Sequence, residues 1–389
     1  MIINQFQDEK LSMLGFGTMR LPLLPDGKPG DIDQAQVNDM TDYAIANGIN
    51  YFDSAYTYHE GKAEIAIGRA LSRYPRSSFN LATKYPGHQL GVSGDPRKVF
   101  EEQLEKCGVS YFDFYLVHNV NEYSSRFYCD KSLGIVDYFK QQRDAGRIRH
   151  LGFSCHGDPE NLRNFLEMYG DVMEFCQIQL NYLDWELQDA KKKCSIIKEY
   201  GKSIWVMEPT RGGLLARLNE DAAAKLKQLR PNESTAAMAF RWVQTVPDVT
   251  MVLSGMSNLD QMKDNVKTFS ERKNLNEAEI ACLYEIAKGL ADFVPCTGCR
   301  YCCAGCPQQL DIPYLLSILN SLRVTNSLHL IMRSGALPAE KRPEACLKCG
   351  QCVNACPQRI NVVEALQELS GRLAELPTWA EICERRNQR

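Results

Sequence analysis

The sequence predicts an α/β chain in which a closed parallel barrel precedes a smaller, mostly helical unit. Between residues 11 and 256, eight short apolar runs alternate with longer amphipathic segments. After about residue 290 this alternation stops and cysteines become frequent. Eight β–α repeats are the number found in a TIM (β/α)8 barrel, in which the active site lies at the carboxyl ends of the strands.

The predicted strands are apolar runs of seven or eight residues: 11–17, 49–55, 79–85, 111–118, 149–156, 175–182, 203–209 and 249–256. The segments between them look helical. In residues 33–48 the apolar side chains recur every three or four positions and Gly48 ends the segment, which predicts a helix. A doubly wound open sheet is the alternative fold, but no G-x-G-x-x-G follows the first strand.

One cysteine spacing, C-x2-C-x2-C-x3-C-P, occurs twice near the carboxyl end of the chain. This spacing is typical of bacterial [4Fe–4S] cubes, and in two-cluster ferredoxins the fourth cysteine of each run ligates the other cluster. We therefore expect a crossed arrangement of the ligands. One cube would be held by Cys296, Cys299, Cys302 and Cys356, and the other by Cys346, Cys349, Cys352 and Cys306.

Disulfides or zinc are the alternatives for these cysteines. Zinc ribbons use two separated C-x2-C pairs rather than three cysteines in one loop, so iron–sulfur clusters are favoured. Cys303 stands beside Cys302 and is either a bystander or a replacement ligand. The chain has 16 cysteines, and those outside the two runs show no pairing pattern, which fits a reducing compartment.

The chain is expected to divide into four segments: a barrel over 1–270, a connecting helix over 271–290, a two-cluster module over 291–365 and a helical tail over 366–389. The 39 residues between Cys306 and Cys346 contain a helical stretch and no strand pattern. This favours a helical ferredoxin-type module over a compact β-rich one.

Composition excludes several classes of function. The 389 residues are 44% hydrophobic and 24% charged, which is ordinary for a globular protein, and the net charge of -3 gives no reason to expect nucleic-acid binding. No apolar run approaches the ~20 residues that a membrane helix needs. The first residues lack the apolar core of a signal peptide, so we expect a cytoplasmic protein without a membrane partner.

Polar side chains follow three successive predicted strands. Asp53 and Tyr58 follow the second strand, Lys84 lies in the third and His118 ends the fourth. In this order the four residues resemble the Asp, Tyr, Lys and His tetrad of the aldo-keto reductases. The resemblance covers roughly residues 10–270 and includes GFGTM near the start, Glu64 and Gly68 after the tyrosine, and the segment SGMSNLDQMKDN.

The resemblance implies the reduction of a small aldehyde or ketone, or the reverse oxidation of an alcohol. Hydride addition to a carbonyl leaves an alkoxide that needs a proton, and a tyrosine with a pKa of ~10 is a poor acid unless a cation is close. Lys84 would supply that cation, Asp53 would hold Lys84, and His118 would orient the carbonyl oxygen. Taken singly, these residues could also be a structural ion pair and a buried histidine.

The resemblance also implies a nicotinamide cofactor. Met207 stands where the family usually stacks an aromatic ring, and it is either a cover for the ring or ordinary core. Gly255 and Gln261 stand where NADPH-dependent members commonly have Lys and Arg, so the choice between NADH and NADPH is left open. The expected cofactor contacts are Ser154, Gln177, Met207, Arg211, Ser254, Gly255, Ser257, Gln261 and Asn265.

Nicotinamide transfers a hydride, whereas each cube transfers one electron, and three hypotheses reconcile the two halves of the chain. The first is a carbonyl reductase whose clusters deliver electrons, with a possible redox protein partner, or sense redox state. The second is a barrel that binds a flavin or another redox ligand, which exchanges electrons with the clusters. The third is a non-catalytic interaction protein with structural clusters. The four residues at the strand ends favour the first.

Overall fold

The chain divides into two compact units, Met1–Lys288 and Gly289–Arg389, in a computed structural model. The structure describes residues 1–28, 30–90, 94–121, 124–290, 293–324, 334 and 337–377. In this part of the chain no helix has the length and apolarity needed to cross a membrane. The four-segment division made from the sequence stays a prediction.

The first unit is a closed barrel of eight parallel strands, which confirms the predicted (β/α)8 fold. The strands pair in parallel in chain order, and the last strand pairs with the first and closes the barrel. Nearly all residues of these strands are buried, as is typical of a parallel sheet covered by helices. The strands are β3 Leu14–Gly17, β4 Tyr51–Asp53, β5 Asn80–Tyr85, β6 Phe112–Val120, β7 Ile148–Cys155, β8 Phe175–Gln179, β9 Ser203–Met207 and β10 Val249–Gly255.

An antiparallel hairpin, which the apolar pattern did not reveal, precedes the barrel. It consists of β1 Ile3–Phe6 and β2 Glu9–Ser12, so the predicted first strand, 11–17, joins the end of β2 to β3. Leu11 and Met13 are both apolar and buried, so the apolar pattern of residues 11–17 continues through the break between β2 and β3. Phe6 packs on Phe114 and Trp205, with ring centroids 5.8 and 5.6 Å apart. The hairpin therefore fills the amino end of the barrel and leaves the carboxyl end for chemistry.

Thirteen α-helices of the described chain follow or connect these strands. The first begins after Asp33, whose side chain accepts a hydrogen bond from the N–H of Gln36, and it matches the helix predicted over 33–48. The helices are α1 Gln34–Ala46, α2 Ala63–Leu71, α3 Gly87–Leu90, α4 Pro96–Cys107, α5 Ser125–Tyr128, α6 Ile135–Asp144, α7 Pro159–Tyr169, α8 Asp184–Leu187, α9 Ala190–Glu199, α10 Glu220–Leu229, α11 Thr235–Thr245, α12 Leu259–Thr268 and α13 Glu277–Leu290.

The second unit is helical wherever the structure describes regular elements in it, which confirms the expectation of a mostly helical module. Two longer helices, α15 Ile312–Val324 and α17 Val362–Ala374, pack together around a core that includes Leu319 and Leu369. Two single-turn helices, α14 Tyr301–Ala304 and α16 Gln351–Asn354, lie within the two cysteine runs. Residues 378–389 of the predicted tail lie outside the described residues.

Candidate functional site

A buried ion pair lies at the carboxyl end of the barrel. Asp53 ends β4 and Lys84 is the penultimate residue of the adjacent strand β5. The Nζ atom of Lys84 is paired with Oδ1 of Asp53 and donates a hydrogen bond of 2.7 Å to the carbonyl oxygen of Ser54. Only 1% of Lys84 is exposed. The ammonium group is therefore held in one place by partners from the neighbouring strand end.

Tyr58 and His118 adjoin this pair. Tyr58 begins a 3-10 turn after β4, and the Nζ atom of Lys84 lies 5.3 Å from the centroid of its ring. The ring centroids of Tyr58 and His118, which lies in β6, are 6.0 Å apart. The structure thus brings together all four residues of the predicted tetrad, although their catalytic roles stay a prediction.

The ionisation of these groups is shaped by burial. Burial raises the pKa of Asp53 and lowers the pKa of Lys84, and the attraction between their charges opposes both shifts. Burial and the nearby charges of His88 and Lys84 lower the pKa of His118 well below its usual value of 6.5. His118 is therefore a neutral imidazole at neutral pH, able to donate a hydrogen bond without adding a second positive charge.

A second histidine, which the sequence analysis missed, contacts His118. His88 lies in α3, and the centroid of its ring is 4.7 Å from that of His118 in an edge-to-face arrangement. Burial lowers the pKa of His88 to about 4 and that of His156, which follows β7, to about 3. In the sequence, His88 lies four residues after Lys84, and this short spacing could have identified it as a neighbour of the site. Neutral imidazoles thus surround the end of β6.

Two of the expected nicotinamide contacts lie side by side on neighbouring strands. Ser154 in β7 and Gln177 in β8 are register partners, and both are buried. The hydroxyl of Ser154 accepts a hydrogen bond of 2.8 Å from the N–H of Asn119. Gln177 also faces the carboxylate of Asp53. Met207 ends β9 and is half-buried. A hydroxyl and an amide in this arrangement suit the carboxamide of a nicotinamide.

The guanidinium of Arg211 is ion-paired with a carboxylate of the same chain. Its Nε donates a hydrogen bond of 3.0 Å to Oδ2 of Asp184, and its Nη2 lies 2.9 Å from Oδ1. Gln179 and Asn181 each donate a hydrogen bond of 2.6 Å to the same carboxylate. The sequence analysis missed Asp184, which is the third residue after Asn181. The guanidinium therefore stabilises the loop after β9, and its contact with a cofactor stays a prediction.

The expected phosphate and adenosine contacts form two hydrogen-bonded pairs after β10. Asn265 donates a hydrogen bond of 2.9 Å to the hydroxyl of Ser254, and Oε1 of Gln261 accepts one of 2.8 Å from the N–H of Ser257. Gly255 lies between them.

Arg20, which the sequence analysis did not single out, lies against Gly255. A Cβ at Gly255 would lie 3.3 Å from the side chain of Arg20. The charge of Arg20 also acts on Glu208, whose pKa is raised by burial and lowered by that arginine. Arg20 is thus a cation next to the loop where the nearby positions Gly255 and Gln261 are uncharged.

The second unit contains two cavities lined by cysteines. One is lined by Cys306, Cys346, Cys349 and Cys352 together with apolar side chains such as Leu310. The other is lined by Cys296, Cys299, Cys302 and Cys356. Each cavity therefore receives three cysteines from one run and the fourth from the other run. The structure groups the cysteines in the crossed arrangement that the spacing predicts.

The linings of both cavities fit a cube, which is held by four cysteine thiolates. In each cavity four cysteines share the walls with apolar side chains such as Leu310 and Leu316. Cys303 lines neither cavity, and its side chain is hydrogen-bonded with that of Cys302. Its position fits a bystander.

Comparisons with known proteins agree with both halves of this description. The sequence model of the Aldo/keto reductase family matches residues 13–288, and that of the 4Fe-4S dicluster domain matches residues 295–360. A curated relative, the NADH-specific methylglyoxal reductase of Escherichia coli (strain K12), is 24% identical over 326 residues. These cover 73% of this chain and 97% of that protein.

Solved structures show the same barrel. The holo form of an aldo-keto reductase from Bacillus halodurans is 25% identical, with a TM-score of 0.58, and the match covers 73% of this chain and 95% of that one. An aldo/keto reductase from Klebsiella pneumoniae in complex with NADP and acetate is 17% identical, with a TM-score of 0.58 and coverage of 72% and 93%. At that identity the second likeness shows the fold alone.

Paired cysteine variants test the crossed arrangement. Cys296 and Cys356 line the same cavity, so the double variant Cys296→Ser/Cys356→Ser should lose one cube and keep about four of about eight irons. Cys346 and Cys356 line different cavities, so Cys346→Ser/Cys356→Ser should lose both cubes. Iron and sulfide analysis after anaerobic purification measures this. Cys303→Ser is the control and should keep about eight irons; the reverse pattern in the two double variants contradicts the crossing.

Proposed function

This chain belongs to the aldo/keto reductase family and is an iron–sulfur NAD(P)-dependent oxidoreductase, and on that premise we propose that its barrel transfers hydride between a nicotinamide cofactor and a small aldehyde or ketone. One observation carries the proposal. A tyrosine, a buried lysine paired with an aspartate, and a neutral histidine meet at one end of the barrel. The physiological direction can equally be the oxidation of an alcohol.

Each side chain has one task in this proposal. The hydroxyl of Tyr58 donates its proton to the carbonyl oxygen of the substrate, and the cation of Lys84 stabilises the phenolate that remains. Asp53 holds the ammonium group, and the neutral ring of His118 donates a hydrogen bond that orients the carbonyl. Both donors thus converge on the oxygen where negative charge develops.

The residues around the strand ends fit a nicotinamide dinucleotide. Ser154 and Gln177 would hold the carboxamide, and the Ser254–Asn265 pair would lie near the adenosine. When bound, the nicotinamide supplies or accepts the hydride. We infer a preference for NADH, because Gly255 and Gln261 offer no charge to a 2′-phosphate. The NADH-specific relative supports this choice, while Arg20 beside Gly255 is a nearby cation that favours NADPH.

The clusters would exchange single electrons with another protein. The loop that carries Cys349 is open to solvent, and Leu347 within it is 60% exposed, more than any other large apolar side chain that the structure describes. Short distances from cluster to surface favour electron exchange with a carrier protein. We infer that a small one-electron carrier docks at this loop and exchanges electrons with the cube of Cys306, Cys346, Cys349 and Cys352.

A barrel that holds a flavin is the second candidate. Met207 replaces the ring that usually stacks on nicotinamide, and this departure favours a different redox ligand in that place. A flavin would also convert a two-electron step into the single-electron steps that the cubes accept.

Tyr58→Phe should reduce carbonyl turnover by at least about 100-fold while leaving cofactor affinity nearly unchanged, because it removes only the proton donor. Steady-state kinetics with a small aldehyde and fluorescence titration of the nicotinamide measure the two quantities. Tyr56→Phe is the matched control, since the hydroxyl of Tyr56 donates to Glu102 at 2.7 Å and has no role in the proposal. Unchanged carbonyl reduction in Tyr58→Phe would contradict the assignment of Tyr58 as the proton donor.

Cofactor extraction separates the two candidates. Protein purified without oxygen should contain about eight irons and no flavin, and should oxidise NADH faster than NADPH in the presence of a small aldehyde. Acid extraction followed by absorbance and fluorescence spectra detects any flavin. Stoichiometric flavin in the extract favours the second candidate instead.

Leu347→Glu should slow electron entry from a protein donor about tenfold or more, because the new charge disrupts an apolar contact. Stopped-flow bleaching of the clusters by a reduced ferredoxin measures the rate. Leu24→Glu is the control, since Leu24 is 50% exposed and lies in the barrel unit. Reduction by dithionite, which needs no docking, should be equal in all three proteins. An unchanged rate with the ferredoxin excludes docking at this loop.

A further inference from the structure

A buried carboxylate that the proposed mechanism does not use lies behind the tetrad. Glu64 is in the first turn of α2, and none of its surface is exposed. Its Oε1 accepts hydrogen bonds from the hydroxyl of Thr83 at 2.6 Å and from the amide of Gln103 at 2.8 Å. Burying a carboxylate costs free energy unless the group is paired and hydrogen-bonded.

The network around Glu64 holds the strand segment that carries Lys84. The amide of Gln103 also donates a hydrogen bond of 3.0 Å to the carbonyl oxygen of Lys84, and the hydroxyl of Tyr115 donates one of 2.5 Å to Oε1 of Gln103. Thr83 directly precedes Lys84, and consecutive residues of a strand point to opposite faces. Glu64 therefore holds β5 from its outer face, while Lys84 points to the face that carries Asp53.

Charge gives Glu64 a second effect on the same lysine. Burial lowers the pKa of Lys84, and the negative charges of Asp53 and Glu64 both raise it. The pKa of Glu64 is raised by burial and lowered by its hydrogen bonds and by Lys106, whose Nζ is 3.8 Å away. The charge of Lys84 thus interacts with two buried carboxylates, that of Asp53 from β4 in direct contact and that of Glu64 from α2 across the strand.

We propose that Glu64 is a positioning residue for Lys84. Glu64 anchors the end of β5 and supplies a second buried negative charge that keeps the ammonium group of Lys84 protonated. The proposal rests on the proposed function of the tetrad. The groups that face the ammonium group of Lys84 are Asp53 from β4, Tyr58 from the turn after β4 and His118 from β6, while the charge of Glu64 acts on it from α2. The titratable and charged groups that act on Glu64, or on which it acts, are Lys84, Lys106, Cys107, Tyr56 and Tyr115.

Glu64→Gln tests the charge, because an amide keeps the shape and can still accept the two hydrogen bonds. Loss of the negative charge lowers the pKa of the coupled Tyr58–Lys84 system, so the acid loses its proton at a lower pH. The basic limb of the pH profile of carbonyl reduction should therefore move down by about one pH unit. Glu102→Gln is the matched control: that carboxylate lies in α4, is one-third exposed and should leave the limb in place.

A purely structural Glu64 would lower kcat at every pH and leave the limb unmoved, and that result overturns the proposal. Titration of the Lys84 side chain by NMR, assigned with Lys84→Met, gives the same shift without any substrate. It therefore tests Glu64 even if the wild-type protein reduces no carbonyl compound. If Glu64→Gln does not fold, the side-chain carboxyl of Glu64 is followed by ¹³C NMR in the wild type, assigned with Glu64→Asp. A carboxyl that is protonated at pH 7 overturns the proposal.

Discussion

The ion pair between Asp53 and Lys84 is the interaction on which the carboxyl end of the barrel depends. Both side chains are almost completely buried, and removing one partner would leave an uncompensated charge in a place that water does not reach. Because parallel neighbours end at the same edge of a sheet, β4 and β5 bring the two residues together without help from a loop. Tyr58 and His118 lie around the ammonium group of Lys84, whose position is fixed by Asp53 and the carbonyl oxygen of Ser54.

The same constraint explains the environment of the pair. A charged lysine in a buried site needs negative charge nearby, and Asp53 on one face of β5 and Glu64 on the other supply it. A second cation on His118 would oppose the charge on Lys84, and burial keeps that imidazole neutral. The combination suits the proposed hydride chemistry at a carbonyl, in which one fixed positive charge would lie beside the proton donor and an uncharged hydrogen-bond donor beside both.

The second unit follows a different constraint, since neither cysteine run completes a cavity alone. Each cavity takes its fourth cysteine from the other run, about fifty residues away in the chain. Folding of the unit therefore brings the two runs together, and an apolar core that includes Leu319 and Leu369 supports it. Chain segments far apart in sequence thus have to meet before either site exists.

The sequence by itself determined the eight barrel strands and the helical second unit, because strand order and strand ends follow from local apolar patterns. Those strand ends, together with the resemblance to the aldo-keto reductases, also grouped Asp53, Tyr58, Lys84 and His118. The same local patterns failed at residues 11–17, where an apolar run hides the break between the hairpin and β3. Only the tertiary structure decided which polar groups are held by partners distant in the chain: Arg211 by Asp184, His88 against His118, and Thr83 by Glu64. Those pairings depend on burial and packing between separate elements, which sequence periodicity does not encode.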